Sequence, residues 1–148
     1  MVEVSALRDR VTGAVYGPSD PGFREELATW VTNVENDPDV VVGAASESDI
    51  VEAIRFARAN NLTVDVLSTG HGAETPSPAN LIITTRRLVT IEIDPESRIA
   101  TLGAGVRWRD LVPVAAQHGL AAIAGASSGS QSASIREPAN GIRPGIDR

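Results

Sequence analysis

Residues 63–73, Thr63-Val64-Asp65-Val66-Leu67-Ser68-Thr69-Gly70-His71-Gly72-Ala73, run from a β-branched segment into a turn that sets one of the chain's two histidines between two glycines. Thr63 to Leu67 predicts a strand. The glycines predict a backbone that turns tightly and comes close to something, because a missing Cβ opens positive φ and removes bulk. Upstream, Val40-Val41-Val42 is a β-branched run that reads as a buried strand. A helix is expected between the two: Ser46 with Asp49 three residues on makes a capping-box-like start, Ile50, Ile54 and Ala57 form the apolar stripe, and Asn60-Asn61 end it. The order is strand, helix, strand, with a glycine turn at the second strand's exit.

Towards the amino terminus, Leu7 and Val11 predict a short opening helix, with Ser5 as its N-cap and Gly13 as its stop. After the turn residues of YGPSDPG, the spacing of Phe23, Leu27, Trp30 and Val31 predicts a second helix, with Trp30 in the core, that lasts until Asn36-Asp37-Pro38-Asp39. Downstream, Leu81 to Thr84 reads as a strand. Ile91 and Ile93, the turn Asp94-Pro95-Glu96-Ser97 and Ile99 predict an antiparallel hairpin. Trp108 to His118 predicts a helix stopped by Gly119, with Pro113 as an interior blemish, and LAAIAGASSG a short strand entering another small-residue turn. The fold class is α+β, with small mixed sheets and flanking helices. Beyond Gly129 there is neither apolar periodicity nor a strand-length hydrophobic run, and Pro138, Gly141 and Pro144 interrupt a polar sequence. The expectation is a folded region over 1–129 and a disordered tail over 130–148.

Composition narrows the chemistry. The 148 residues carry a net charge of −6, which gives no electrostatic reason to expect nucleic acid or anionic membrane as a partner. All 13 basic residues are arginine, so neither a Schiff-base lysine nor a P-loop lysine is available. There is no cysteine, which excludes disulfides, thiolate metal sites and cysteine nucleophiles. No stretch approaches 18 apolar residues, and the chain is read as cytoplasmic. Aromatics make up 3% of the sequence, leaving Val, Ile, Leu and Ala to fill the core.

Gly103-Ala104-Gly105 lies between a strand and a helix, but the third glycine of a dinucleotide fingerprint is replaced by Trp108 and no acidic residue follows about 20 positions later. A Rossmann site is rejected. His71 and His118 are too few for a zinc site, and His118 beside Gly119 reads as a helix C-terminal residue favoured by the macrodipole. Ser127 and Ser128 are given no nucleophilic role. What remains is three small-residue loops, STGHGA, GAG and AGASSG, each able to present backbone N–H groups to an anion. Three plain tight turns explain the same residues equally well.

The order of these pieces resembles the FAD-binding domain of the p-cresol methylhydroxylase and vanillyl-alcohol oxidase superfamily, and within it the berberine-bridge-enzyme-like FAD-linked oxidases. The resemblance spans Val2 to Gly129 and rests on the series PDVVVGAASESDIVEAIRFARANNLTVDVLSTGHGA, NLIITTRRLVTIEIDPESRIATLGAGVRWRDLVPVAAQHGL and AAIAGASSG. It implies the N-terminal part of a PCMH-type FAD-binding domain. FAD would be held by Ser68, Thr69, Gly70, His71 and Gly72 on the pyrophosphate, with Ala124, Gly125, Ala126, Ser127 and Ser128 lining the cofactor. It further implies a covalent bond from His71 to the flavin 8α-methyl group.

Three departures stand out. Family members commonly carry two glycines before the histidine, where this chain has Thr69-Gly70. The cysteine attachment of some relatives has no counterpart, so any covalent link runs through His71 alone. The glycine-rich stretch and substrate domain that follow in the family are not recognisable after Gly129, which implies a truncated member whose alcohol- or sugar-like substrate would need a missing domain. Two other readings stay open, a catalytically inactive remnant and a flavin-free α+β interaction module.

Overall fold

The computed structural model describes residues 3–71, 73–122 and 142–144. Two compact units divide the chain, Met1–Arg87 and Leu88–Arg148.

The first unit is a four-stranded sheet in the order β1-β2-β4-β3, formed by β1 (Ala14–Tyr16), β2 (Val40–Gly43), β3 (Val64–Leu67) and β4 (Leu81–Thr84). β1 runs antiparallel to β2; the β2–β4 and β3–β4 pairs are parallel. Every residue of β2 and β4 is buried, as expected of parallel strands covered on both faces. Their side chains alternate between two clusters. Val40, Val42, Leu81 and Ile83 pack with Leu7, Ala53 and Ala57. Val41 and Ile82 pack on the other face with Phe23 and Leu27. Each such aliphatic side chain removed from water contributes about 1.5–3 kcal/mol. β3 is an edge strand, with Val64 40% and Val66 59% exposed.

The strand–helix–strand expectation is borne out. α3 (Glu47–Ala59) begins with the Ser46–Asp49 capping box and ends at Asn60. Of the expected stripe, Ala57 is buried and Ile50 packs against the core, but Ile54 is not part of the buried face. Ile54 is 50% exposed, and Asp49, Ala53 and Ala57 face inward. Asp49 sets that rotation. Its carboxylate accepts from the amides of Thr12 (2.9 Å), Gly13 (3.0 Å), Ala45 (2.9 Å) and Ser46 (3.2 Å) and from the Thr12 hydroxyl. The group thus caps its own helix and pins the residue 12–13 turn to it.

Two helices are shorter than their sequence periodicity. α1 is Ser5–Arg8 and Ser5 does not cap it. α2 is only Phe23–Glu26, and Trp30, expected in the core, is 75% exposed. The reason lies in β4's exit: Arg86 Nη2 donates to the carbonyls of Glu26 (2.6 Å) and Ala28 (3.0 Å), while the Trp30 amide donates to Thr69 O at 3.0 Å instead of to Glu26.

In the second unit, β5 (Ile91–Asp94) and β6 (Ile99–Leu102) form the expected antiparallel hairpin, with the Asp94 carboxylate accepting from the amides of Glu96 and Ser97 in the turn. Ile91, Ile93, Ala100 and Leu102 pack against Val106, Trp108 and Leu111, the last two from α4 (Trp108–Gln117). Pro113 sits in the second turn of α4 on its exposed side, where water can reach the Arg109 carbonyl that lacks its usual N–H. β7 (Leu120–Ala122) pairs antiparallel with β8 (Ile142–Pro144). These last three residues form a strand where a disordered tail is expected; the rest of 130–148 lies outside the described residues. No described helix is long and apolar enough to cross a membrane.

Asp49 makes stability pH-dependent. Burial pushes its carboxyl up, but the hydrogen bonds from Thr12, Ala45 and Ser46 outweigh burial and hold it at about 2, against 3.8 for a free carboxyl. The folded value lies below the unfolded one, so the contribution, about 2 kcal/mol, is complete above about pH 4 and is lost as pH falls towards 2. Asp49→Asn turns an NH2 donor towards amides that also donate. Urea unfolding between about pH 2 and pH 7 is expected to show a lower midpoint for this variant at neutral pH and a flattened acid limb.

Candidate functional site

Parallel strands leave one end of a sheet where loops gather, and ligands of open α/β sheets sit outside the carboxyl ends of the strands. Here β2 ends in Gly43, β3 runs into Ser68 and β4 into Thr85, Arg86 and Arg87. The ladder closes with Thr85 donating to Leu67 O (3.2 Å), after which the chain leaves the sheet.

Ser68, Thr69, Gly70 and His71 form the turn that follows β3. Ala73 N donates to Gly70 O at 3.2 Å, which places His71 as the first central residue of a four-residue turn and leaves its side chain exposed. Gly70 is required twice over: its φ is +69°, and a Cβ there would lie 2.6 Å from Thr29 Cβ. Thr69 holds the turn to the segment after α2 through its carbonyl bond from Trp30 N. The Ser68 hydroxyl oxygen is buried and has no hydrogen-bond partner among the described residues, a rare condition for a polar atom. Gly72, Ala124, Gly125, Ala126, Ser127 and Ser128 lie outside the described residues.

At the exit of β4 lies an ionic cluster that sequence reasoning missed. Glu26 is 4% exposed. Its carboxylate takes a forked pair from Arg87, Nη1 to Oε1 at 2.8 Å and Nη2 to Oε2 at 2.6 Å, and a short bond from the Thr84 hydroxyl. Arg86 Nε stands 3.7 Å from Oε1. Gly43 makes room: a Cβ there would lie 2.4 Å from Arg87 Nη1. Burial pushes the Glu26 carboxyl up, but the Arg87 and Thr84 hydrogen bonds and both arginine charges hold it below the usual carboxylate range. One carboxylate against two guanidiniums leaves the cluster with a charge of +1. The available signal was the pair Arg86-Arg87 directly after an apolar strand.

The GAG loop belongs to the second unit. Gly103 N donates to Thr90 O (2.8 Å) and Gly105 N to Leu88 O (2.7 Å), so GAG spends these amides on its own unit rather than offering them to an anion. His118 caps the end of α4, as expected. Among the described residues no group of three or more His, Asp or Glu side chains is placed to hold a metal. Gly125 to Gly129 satisfies the letters G-x-S-x-G, but a nucleophile elbow needs a strained strand-to-helix turn, and these residues lie outside those described.

Residues 38–134 match the family described as FAD binding domain. The chain belongs to that family. Its cofactor is FAD, and the PCMH-type fold expected from the sequence is borne out. The chain is 31% identical over 117 residues to (R)-6-hydroxynicotine oxidase of Paenarthrobacter nicotinovorans, an alignment covering 78% of this chain and 26% of the relative. It is 26% identical over 134 residues to D-lactate dehydrogenase of Archaeoglobus fulgidus, covering 87% and 30%. Among solved structures, 6-hydroxy-D-nicotine oxidase from Arthrobacter nicotinovorans superposes with a TM-score of 0.71 at 31% identity, over 80% of this chain and 26% of that one. The chain thus spans between a quarter and a third of the length of these relatives.

The residues present fit a diphosphate. An unpaired buried hydroxyl, a glycine-built turn and a net positive cluster meet the needs of an anionic group without a lysine. The cluster also carries stability. Glu26→Ala removes the carboxylate that Arg87 binds among the described residues and is expected to cost about 2–3 kcal/mol in thermal or urea unfolding. This is less than for a fully buried pair, because the Arg87 side chain is 38% exposed and regains some hydration.

Proposed function

We propose that the chain is the cofactor-holding part of an FAD-linked oxidoreductase, with the Ser68–Gly72 turn on the FAD pyrophosphate and His71 bonded to the flavin 8α-methyl carbon. The observation that carries this reading is the buried Ser68 hydroxyl, without a hydrogen-bond partner among the described residues, in the turn that Gly70 makes at the carboxyl end of β3. In this role Ser68 would donate to a phosphate oxygen, Gly70 would keep the backbone close, and the exposed His71 imidazole would supply the nitrogen that replaces one 8α hydrogen, the proton going to solvent and the two electrons to the flavin ring and from there to dioxygen. The second small-residue stretch, Ala124 to Ser128, lines the cofactor.

Bound flavin supplies two-electron redox chemistry, accepting a hydride from a substrate. Residues that select and deprotonate a substrate are not evident in the described site. We therefore assign the chain a flavin-carrying role, with turnover of an alcohol- or sugar-like substrate dependent on further residues like those that make up the rest of its longer relatives. A cytoplasmic location is part of the same proposal, tested by cell fractionation.

The decisive experiment is to purify the chain from cells grown with added riboflavin, record its visible spectrum and precipitate it with acid. Yellow protein with flavin in the pellet is expected, and His71→Ala should move the flavin to the supernatant while leaving non-covalent binding measurable by titration. A colourless chain that also ignores added FAD would overturn the reading.

A further inference from the structure

An α-helix that continued beyond Glu26 would spend the carbonyls of Glu26 and Ala28 on the amides of Trp30 and Thr32. The side-chain pattern Phe23, Leu27, Trp30, Val31 favours that continuation. Instead, Arg86 Nη2 occupies both carbonyls, at 2.6 and 3.0 Å. The Trp30 amide, released from Glu26, donates to Thr69 O at 3.0 Å. Thr29, held by its own hydroxyl bond to Val31 O (2.7 Å), then forms the surface against which Gly70 lies. One guanidinium two residues past β4 therefore decides where α2 stops, and the stop supplies both contacts that shape the turn after β3.

We propose that Arg86 is a positioning residue for the cofactor turn: by taking the Glu26 and Ala28 carbonyls it hands the Trp30 amide to Thr69 and fixes Ser68 to His71 in the form that accepts the diphosphate. This rests on the assignment of that turn to FAD. Arg86 acts through residues 26–30 and needs no contact with the cofactor. Both bonds leave one nitrogen, Nη2, whose two N–H groups take one carbonyl each; a lysine ammonium ends one bond nearer the backbone and reaches the same pair less well.

The test uses the full 148-residue chain and compares Arg86→Ala, Arg86→Lys and a control, Ala57→Gly, which lowers the stability of α3 away from the turn. Amide hydrogen exchange of Trp30, followed by NMR without FAD, reads the hand-over directly. Quenching of flavin fluorescence on titration reads the affinity for FAD. Arg86→Ala is expected to lower Trp30 protection and weaken FAD binding, each by about tenfold or more, with α3 amides unchanged and Arg86→Lys in between. Ala57→Gly is expected to lower Tm and leave both quantities within about twofold. Parent-like Trp30 protection and FAD affinity in Arg86→Ala would overturn the proposal. If that variant does not fold, Arg86→Met, which keeps the aliphatic stem and loses every donor, decides by the same two readouts, and parent-like behaviour there overturns it. A parent chain that binds no FAD would sink the cofactor assignment, while Trp30 exchange would still decide whether Arg86 positions the turn.

Discussion

Burying β2 and β4 on both faces is the constraint on which the first unit depends. Eight consecutive-register residues, Val40 to Gly43 and Leu81 to Thr84, are removed from water, and the apolar gain requires a cover on each side. α3 with the amino-terminal segment supplies one cover, and α2 with Leu27 supplies the other. Each cover has to be fastened where the strands end, because backbone amides there run out of ladder partners. Two buried carboxylates perform this task. Asp49 gathers the amides on the α3 side, and Glu26 gathers the guanidinium and hydroxyl groups on the α2 side.

Both carboxylates are held ionised below their ordinary range, and in both cases burial works against the ionised form and hydrogen bonds win. The two differ in what they organise. The partners of Asp49 are mainly main-chain N–H groups, so it fixes backbone path. Glu26 is paired with side chains from β4 and its exit, so it fixes which side chains occupy the sheet's carboxyl end. A buried ion pair of this kind is weak evidence for stability by itself. Its structural consequence is clearer: Arg87 is held by Glu26, and the adjacent Arg86 reaches the main chain beyond α2.

Local patterns were legible in the sequence, and long-range ones were not. The capping box of α3, the β-branched strands, the hairpin and the glycine-flanked turn are each specified by residues within a few positions of one another, so period and turn chemistry suffice. α2 was misjudged because its terminator, Arg86, lies about 60 residues away, and nothing within Phe23 to Val31 announces it. In the α3 stripe, Ala57 and Ile50 pack on the core as expected and Ile54 does not, for a related reason. Apolar residues alone favour Ile50, Ile54 and Ala57, whereas the helix is rotated to bury a polar residue, Asp49, whose partners Thr12 and Gly13 come from outside the helix. At the site, Ser68, Gly70 and His71 were readable from the turn, while Glu26, Arg86 and Arg87 were visible only as ordinary charges.

The site is also instructive about anion binding in an acidic chain. With a net charge of −6 and no lysine, long-range attraction of a diphosphate is unfavourable, so the local arrangement has to supply what the overall field does not. On the proposed reading the glycine turn would do so through amide dipoles at close range, and the Glu26–Arg86–Arg87 cluster adds one net positive charge, with Arg87 held by the Glu26 carboxylate and Arg86 by the Glu26 and Ala28 carbonyls. Burial of Glu26 matters here because charges in a low-dielectric setting are screened less than those on the surface. As the first central residue of the turn, His71 is exposed and contributes nothing to packing, and the proposed bond to flavin would use its imidazole without disturbing the residues that hold the turn.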